Sequence, residues 1–296
     1  MKNSASSAGR WLDVAPSRFP GWIAGFAERH GDGAGAAALS VALTVDQGSL
    51  SGPAETVIFT APDGAVARCY PPFPPVTGLV ARGDPAGSAR AGSAGLDPAV
   101  CAEAIAAHAV APRTVGVLLV RLGGYAAGVF TGSPPRLAAS KTGSRLVHGR
   151  SAAGGWSQHR FARRREKQAN EALRAAADAA VGVFGHWEQG DNSKRRLPGG
   201  GGYLLADNSK RRLPGGGGGP ESGAGAVSER GPGLDAVVLG GDKRAVTELR
   251  ADPRLLSYLE LATDRFLTVP DPKLAVLKDA PRLYLAVRIW LREPAT

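Results

Sequence analysis

The run VGVLLVRLGGYAAGVFTGSPPRLAASK at residues 115–141 holds three short apolar stretches separated by turn residues. β-branched and aromatic residues are frequent in residues 115–121 and 125–131, and Gly123-Gly124 between them is typical of a tight hairpin turn. A proline pair then separates this hairpin from residues 137–141, because proline favours turns and cannot continue a strand ladder. The run therefore predicts three consecutive antiparallel strands.

The chain continues as KTGSRLVHGRSAAGGWSQHRFARRREKQANEALR at residues 141–174, a Gly/Ser-rich loop that passes into a basic helix. We predict this helix over residues 157–184, because small and apolar residues recur there at helical spacing: Ala169, Leu173, Ala176, Ala180 and Val183. The only acidic residues of the stretch are Glu166 and Glu171. Such one-sided positive charge is typical of proteins that bind a phosphate backbone, so we expect a polyanion as partner.

Further elements on the carboxyl-terminal side complete an α/β pattern. Residues 234–239 (LDAVVL) are almost continuously apolar, as in a strand buried on both faces, and residues 242–249 predict a helix capped by Asp242. Residues 282–292 (RLYLAVRIWLR) alternate as a last strand. We therefore expect a mixed sheet with flanking helices.

The first part of the chain predicts a small α+β domain. Its helices are expected over residues 16–30 and 97–109, the second with Asp97 as N-cap, and its strands over residues 39–45, 56–60 and 65–70. The segment between residues 82 and 95, rich in Gly, Ala and Ser, suggests a connector. We place the domain boundary so that residues 1–110 form the first domain and residues 111–296 the second.

A glycine-rich repeat interrupts the second domain. The sequence DNSKRRLPGGGG at residues 191–202 recurs letter for letter at residues 207–218, and the surrounding residues lack apolar content for a core. We expect residues 186–232 to be a disordered insert. Our interpretation is a tandem duplication tolerated in a surface loop, and a basic RNA-contacting arm is the alternative.

Composition limits the class of protein. A net charge of +10 and a pI of about 10.0 favour association with nucleic acid or an anionic membrane surface. No run of eighteen apolar residues and no apolar signal core at the amino terminus are found, so we expect a cytoplasmic protein without membrane attachment. Cys69 and Cys101 have no zinc-type spacing, and neither do the five histidines. We expect neither a metal nor a cofactor.

One short motif points to a different chemistry. Gly155-Trp156-Ser157-Gln158-His159 is close to the G-x-S-x-G nucleophile elbow of serine hydrolases, with His159 in place of the final glycine. A serine hydrolase with Ser157 as the nucleophile is therefore one alternative.

Several blocks of the sequence resemble the Vms-like release factors (VLRF), most closely their actinobacterial branch. The blocks are VGVLLVRLGGYAAGVF at 115–130, SKTGSRLVHGR at 140–150, GGWSQHRFARRREKQ at 154–168, LDAVVLGGDKRAV at 234–246 and FLTVPDPKLAVLKDAP at 266–281. These factors are relatives of the catalytic middle domain of eukaryotic and archaeal peptide-chain release factors. The resemblance covers most of residues 111–296 and implies a release-factor catalytic domain there.

The resemblance also implies an activity, the hydrolysis of peptidyl-tRNA on stalled ribosomes or large subunits. Carried over to this chain, the catalytic residues are Gln158, Gly154 and Gly155, the last two with room for the tRNA end. Trp156 and Ser157 stand between the glycines and the glutamine here, whereas the standard factors have the three residues contiguous. The RNA-binding residues would be Lys141, Arg145, Arg150, Arg160, Arg163, Arg164 and Arg165.

The expected partners are the large ribosomal subunit and peptidyl-tRNA, and we expect a monomer. Residues 1–110 do not resemble a stop-codon-reading domain, which favours rescue of stalled ribosomes over termination. Two further alternatives stay open: a non-catalytic ribosome- or RNA-binding module, and a nuclease that cuts the tRNA near its 3′ end.

Overall fold

The computed structural model describes residues 9–31, 35–46, 54–76, 79, 96–121, 123–144, 157–188, 203–204 and 233–294. The strands in these ranges are β1 (Arg10–Val14), β2 (Ser40–Asp46), β3 (Ala54–Thr60), β4 (Val66–Tyr70), β5 (Val115–Arg121), β6 (Gly124–Thr131), β7 (Arg136–Ser144), β8 (Tyr203–Leu204), β9 (Ala236–Gly241), β10 (Ala262–Leu267) and β11 (Val287–Arg292). The helices are α1 (Phe19–His30), α2 (Pro98–Ala109), α3 (Ser157–Glu188), α4 (Lys243–Leu249), α5 (Leu256–Leu259) and α6 (Leu274–Tyr284).

The second sheet has six strands in the order β10-β9-β5-β6-β7-β8. Strands β10, β9 and β5 are parallel neighbours, whereas β5, β6, β7 and β8 pair antiparallel. The prediction of three consecutive antiparallel strands from residue 115 onward is thus confirmed, and so is the α/β class with a mixed sheet. Helix α3 and α4 pack on one face of this sheet and α6 packs on the other. Coverage of both faces explains why β5 and β9 are almost entirely apolar.

The first sheet has five antiparallel strands in the order β1-β11-β4-β3-β2. Helices α1 and α2 cover one face, where Phe26, Phe59 and Ile105 are fully buried. The Asp97 cap of α2 is confirmed, since its carboxylate accepts hydrogen bonds from the backbone N–H groups of Ala99 at 2.8 Å and Val100 at 3.2 Å.

The end of the chain differs from the sequence prediction. Residues 282–284 continue helix α6, whose buried residues Leu277, Ala280 and Tyr284 follow helical spacing, and only residues 287–292 form a strand. That strand, β11, lies between β1 and β4 in the first sheet and takes no part in the second. The domain boundary at residue 110 stays a prediction. A division there would separate β11 from β1 and β4, its neighbours in the first sheet.

The insert predicted at residues 186–232 contains described residues at two places. Helix α3 continues to Glu188, and Tyr203–Leu204 pair with β7 opposite Ser140 and Ala139. Both copies of the glycine-rich repeat, at 191–202 and 207–218, lie outside the described residues.

Aromatic and arginine side chains join the two sheets. The guanidinium carbon of Arg113 lies 4.9 Å from the centre of the Phe73 ring, and the Phe73 ring packs edge-on against Tyr284 at 5.9 Å. The His108 ring nitrogen Nε2 is 2.8 Å from the Phe73 carbonyl oxygen, and burial lowers the pKa of this histidine. These contacts connect α2 and the segment after β4 with α6, which packs on the second sheet.

The position of β11 generates a prediction about folding. A fragment of residues 1–110 lacks the strand that pairs with both β1 and β4, so Leu12 and Cys69 would lose their neighbour Ile289 from the core. We expect this fragment to show no cooperative thermal transition by circular dichroism. The matched control adds residues 285–294 through a flexible linker and should recover the transition. A cooperative transition in the unlinked fragment would show that β11 is dispensable.

Candidate functional site

The loop that carries the predicted catalytic residues begins at one defined edge of the second sheet. Strands β5, β7, β9 and β10 run in the same direction, and their carboxyl ends meet there. Val120 lies opposite Gly241, Gly240 lies opposite Leu267, and the β5–β6 hairpin brings Gly124 opposite Ser144. In open α/β sheets, ligands bind outside the carboxyl ends of the strands. Residues 145–156 follow Ser144 directly and therefore leave from this edge.

Helix α3 crosses the same sheet and is fixed by its small side chains. Ala176, Ala180 and Val183 are fully buried against residues of β5, β6 and β7, and Leu173 is partly buried beside them. Alanine lets the helix backbone approach the strands closely, and this face is the one that the sequence periodicity predicted. The second half of α3 is thus a rigid support.

Polar and aromatic contacts hold the carboxyl end of α3. Phe184 packs edge-on against Tyr258 with ring centres 5.2 Å apart, and the Tyr258 hydroxyl donates to Glu188 at 3.3 Å. Burial, with the nearby Glu188 carboxylate as the lesser cause, raises the pKa of Tyr258 to about 12, so the hydroxyl stays protonated as a donor. Nearer the middle of α3, Arg254 donates to Asp178 at 2.7 Å. The helix is therefore anchored over its last three turns.

The predicted catalytic and RNA-binding residues divide into three groups by location. Gln158, Arg160, Arg163, Arg164 and Arg165 lie in the first three turns of α3, where the backbone is helical and the side chains are outside the described part. Gly154, Gly155, Arg145 and Arg150 precede the helix and lie outside the described residues. Lys141 lies in β7 opposite Ala127 and is half-buried.

The start of α3 has a chemical property of its own. The first four backbone N–H groups of an α-helix have no partner within the helix, and the helix dipole makes this end partly positive. Gln158 is the second residue of α3 and therefore belongs to this end. A helix start of this kind favours a phosphate or a developing oxyanion nearby, whatever the side chains do.

Three cationic residues at the carboxyl edge were not singled out in the sequence. Arg121 ends β5, is exposed, and donates to the Val269 carbonyl oxygen at 3.0 Å. Lys243 follows β9, and its ammonium lies 5.8 Å from the centre of the Phe266 ring. Lys273 is exposed ahead of α6. Their common sequence signal is a basic residue placed just after an apolar strand or just before a helix.

A glycine shapes the turn after β9 at this edge. Gly241 has φ of 103°, and a Cβ atom there would collide with the backbone of Val120 on the neighbouring strand. Asp242 then donates its N–H to the Val120 carbonyl oxygen at 2.8 Å and caps α4 by accepting from the Arg244 N–H at 3.0 Å. The predicted Asp242 cap is confirmed.

The described residues contain no group of three His, Cys, Asp or Glu side chains that could hold a metal ion. None of the helices in the described ranges is long and apolar enough to cross a membrane. Cys69 and Cys101 are both buried and unpaired with each other, and burial raises the pKa of the Cys69 thiol well above its usual range.

Comparison with known proteins agrees with the resemblance noted in the sequence. A family model described as Actinobacteria/chloroflexi VLRF1 release factor matches residues 113–290. No curated protein sequence matches the chain. The matched range contains the whole second sheet, α3 and the loop before it. It implies a role in translation and an interaction with the ribosome. Because the match spans more than half of the 296 residues, the chain belongs to the VLRF1 release-factor family of actinobacteria and chloroflexi.

Proposed function

We propose that this protein is a peptidyl-tRNA hydrolase that releases nascent chains from stalled ribosomes or separated large subunits. The observation that carries the proposal is that β7 ends at the carboxyl edge of the second sheet and the anchored helix α3 begins at Ser157, so residues 145–156 connect the two. Family membership supports the same role. A translation factor of this kind works in the cytoplasm.

The chemistry is the attack of water on the ester that joins the peptide to the terminal adenosine of tRNA. The water oxygen forms a bond to the ester carbonyl carbon, the bond to the ribose oxygen breaks, and that oxygen takes a proton. Gln158 would orient the water through its neutral amide, and backbone N–H groups would stabilise the oxyanion. Gly154 and Gly155 would leave room for the tRNA end. No metal or cofactor is required.

Binding energy in this proposal comes from positive charge away from the reacting ester. The sequence places Arg160, Arg163, Arg164 and Arg165 within six residues at the start of α3, and Arg145 and Arg150 in the loop before it. Neutralised phosphates release counterions, so binding would weaken steeply with salt. Because the far half of α3 is anchored on the sheet, this charge is held on a rigid support.

The position of Gln158 generates the decisive prediction. We expect Gln158→Ala to bind ribosomal complexes as the wild type does and to lower single-turnover peptide release by about two to three orders of magnitude, as for one preorganised polar group. The assay measures free peptide from stalled large-subunit complexes under enzyme excess. Release at the wild-type rate would remove Gln158 from the mechanism.

The neighbouring serine is the matched control for this experiment. Ser157→Ala should retain nearly full release, whereas a serine hydrolase predicts the opposite ranking and an acyl-enzyme that mass spectrometry detects. The tRNA product separates the remaining alternatives. Intact tRNA with free peptide supports the hydrolase, shortened tRNA indicates a nuclease, and an unchanged complex indicates a binding module.

The charge at the start of α3 generates a second prediction. Replacing Arg163 and Arg164 together by alanine should weaken binding to large subunits and reduce the slope of log K against log salt by about one to two. The control is Arg136→Ala with Arg250→Ala, two exposed arginines on β7 and after α4. An unchanged slope in the first variant would show that both side chains only face solvent.

A further inference from the structure

The first sheet carries arginine and tryptophan side chains on the face opposite its helices. Alternate residues of a strand point to opposite faces, and α1 and α2 cover the face that holds Cys69 and Ile289. The other face of β1, β11 and β4 carries eight residues, among them Asp13 and Val66. The other six are called the Trp-Arg face: Trp11, Arg68, Tyr70, Arg288, Trp290 and Arg292. Trp11 is 50% exposed, an unusual position for so large a ring.

Strand register brings these side chains together. Trp290 lies between Trp11 and Arg68 across three strands, and Arg288 lies beside Tyr70 in the next row. The guanidinium carbon of Arg288 is 4.3 Å from the centre of the Trp11 ring, and that of Arg68 is 5.9 Å from the Trp290 ring. Trp11 and Tyr70 are in ring contact at 5.4 Å. These contacts hold planar groups on the surface in defined positions.

Three arginines of this face have no ion-pair partner among the described residues. Within the described ranges, Arg68, Arg288 and Arg292 form no ion pair, and all three are exposed. The carboxylate of Asp13, opposite Arg288, accepts instead from Arg265 at 2.9 Å. Three exposed arginines thus outnumber Asp13, the one acidic residue of β1, β11 and β4 on this face, and the net positive charge suits an anionic partner.

A cavity of about 140 Å³ opens at the end of the Trp-Arg face, where the first sheet meets β10 and α6. Its lining residues include Trp11, Tyr70 and Arg288 from the face, Thr263, Arg265 and Tyr284 from the other side, and two carboxylates, Glu55 and Asp264. The buried hydroxyls of Thr263 and Tyr284 have no hydrogen-bond partner in the described part of the protein. A buried hydroxyl without a partner is unfavourable, so a ligand group that reached these hydroxyls would gain hydrogen bonds there. A cavity of roughly 150 Å³ holds one benzene ring.

We propose that the Trp-Arg face and its cavity bind unpaired nucleotides of RNA, a site separate from the loop before α3. One base stacks on Trp11, the phosphates contact Arg68, Arg288 and Arg292, and an adjacent base enters the cavity, where the Thr263 and Tyr284 hydroxyls meet its edge. Aromatic rings interleaved with arginines on an open sheet suit single strands, because unpaired bases have free π-faces and free edges. A duplex offers neither. The ribosome interaction of the family makes RNA, and not an acidic protein, the occupant.

The first test uses the full chain with Arg163→Ala and Arg164→Ala as background, which weakens the basic start of α3, and measures its binding to a fluorescently labelled uridine dodecamer by anisotropy over a series of salt concentrations. Trp11→Ala should weaken binding roughly tenfold through the loss of one stacked base, and Trp11→Phe should keep most of the affinity. Arg68→Ala with Arg288→Ala should reduce the salt slope by roughly 1.4, as for two single-strand phosphate contacts. The control pair Arg136→Ala with Arg250→Ala should leave the slope unchanged.

The second test separates a ligand role of the cavity from a structural role. Tyr284→Phe removes a hydroxyl that has no partner, so the melting temperature should stay the same or rise, while the affinity for the dodecamer should fall severalfold. Unchanged affinity in this variant would overturn the assignment of the cavity.

Three outcomes decide the proposal as a whole. Wild-type RNA affinity in both Trp11→Ala and the double arginine variant, with a wild-type melting temperature, would overturn it. The proposal would also be overturned if these variants bound RNA as the wild type does but lost binding to a polyglutamate peptide, because the face would then be assigned to an acidic protein. If Trp11→Ala does not fold, the RNA affinity of the Arg68→Ala, Arg288→Ala variant alone decides. Gln158→Ala should bind the dodecamer as the wild type does, so failure here and failure of the proposed hydrolase are distinguishable.

Discussion

The close packing of an alanine-rich helix on a mixed sheet is the constraint on which the rest of this protein depends. Ala176, Ala177, Ala179 and Ala180 are buried where α3 crosses the second sheet, so the helix backbone approaches β6 and β7 closely. Larger side chains would push the helix away, since protein interiors have no free volume to absorb them. The same helix begins at Ser157, next to the loop, so its anchored half determines where the loop ends. Gln158 at the start of the helix and the packed support are therefore parts of one continuous element.

The basic residues of the chain are separated from the packed half of α3. Neighbouring positive side chains repel each other, and this repulsion is tolerated only where water screens it or a bound anion compensates it. The buried half of α3 carries alanine, valine and phenylalanine, while its basic residues are concentrated before residue 168. On the Trp-Arg face, two of the arginines stack on tryptophan rings, whose π-faces attract the positive charge. Positive charge is therefore concentrated on two separate parts of the chain.

The two sheets are linked through the end of the chain. Strand β11 follows α6 after a turn of two residues and inserts between β1 and β4, although about two hundred residues separate it from β4 in sequence. Its register also decides which side chains face outward, because a shift by one residue would exchange Ile289 with Arg288 and Trp290. The core of the first sheet and the composition of the Trp-Arg face are thus set by the same backbone hydrogen bonds.

The sequence alone determined the local elements. The strands at 115–141, the basic helix with its alanine face, the Asp97 and Asp242 caps and the α/β class all follow from periodicity, turn residues and capping chemistry, which act over a few residues. The family resemblance in the second part of the chain was also visible there. Only the tertiary structure decided the neighbours of β11, the α6 assignment of residues 282–284, the contact of Trp11 with Arg288, and the placement of Thr263 and Tyr284 on one cavity. These features depend on pairing between distant segments, which residue patterns do not encode: the alternation of RLYLAVRIWLR fits a strand in either sheet, and only the strand order places it.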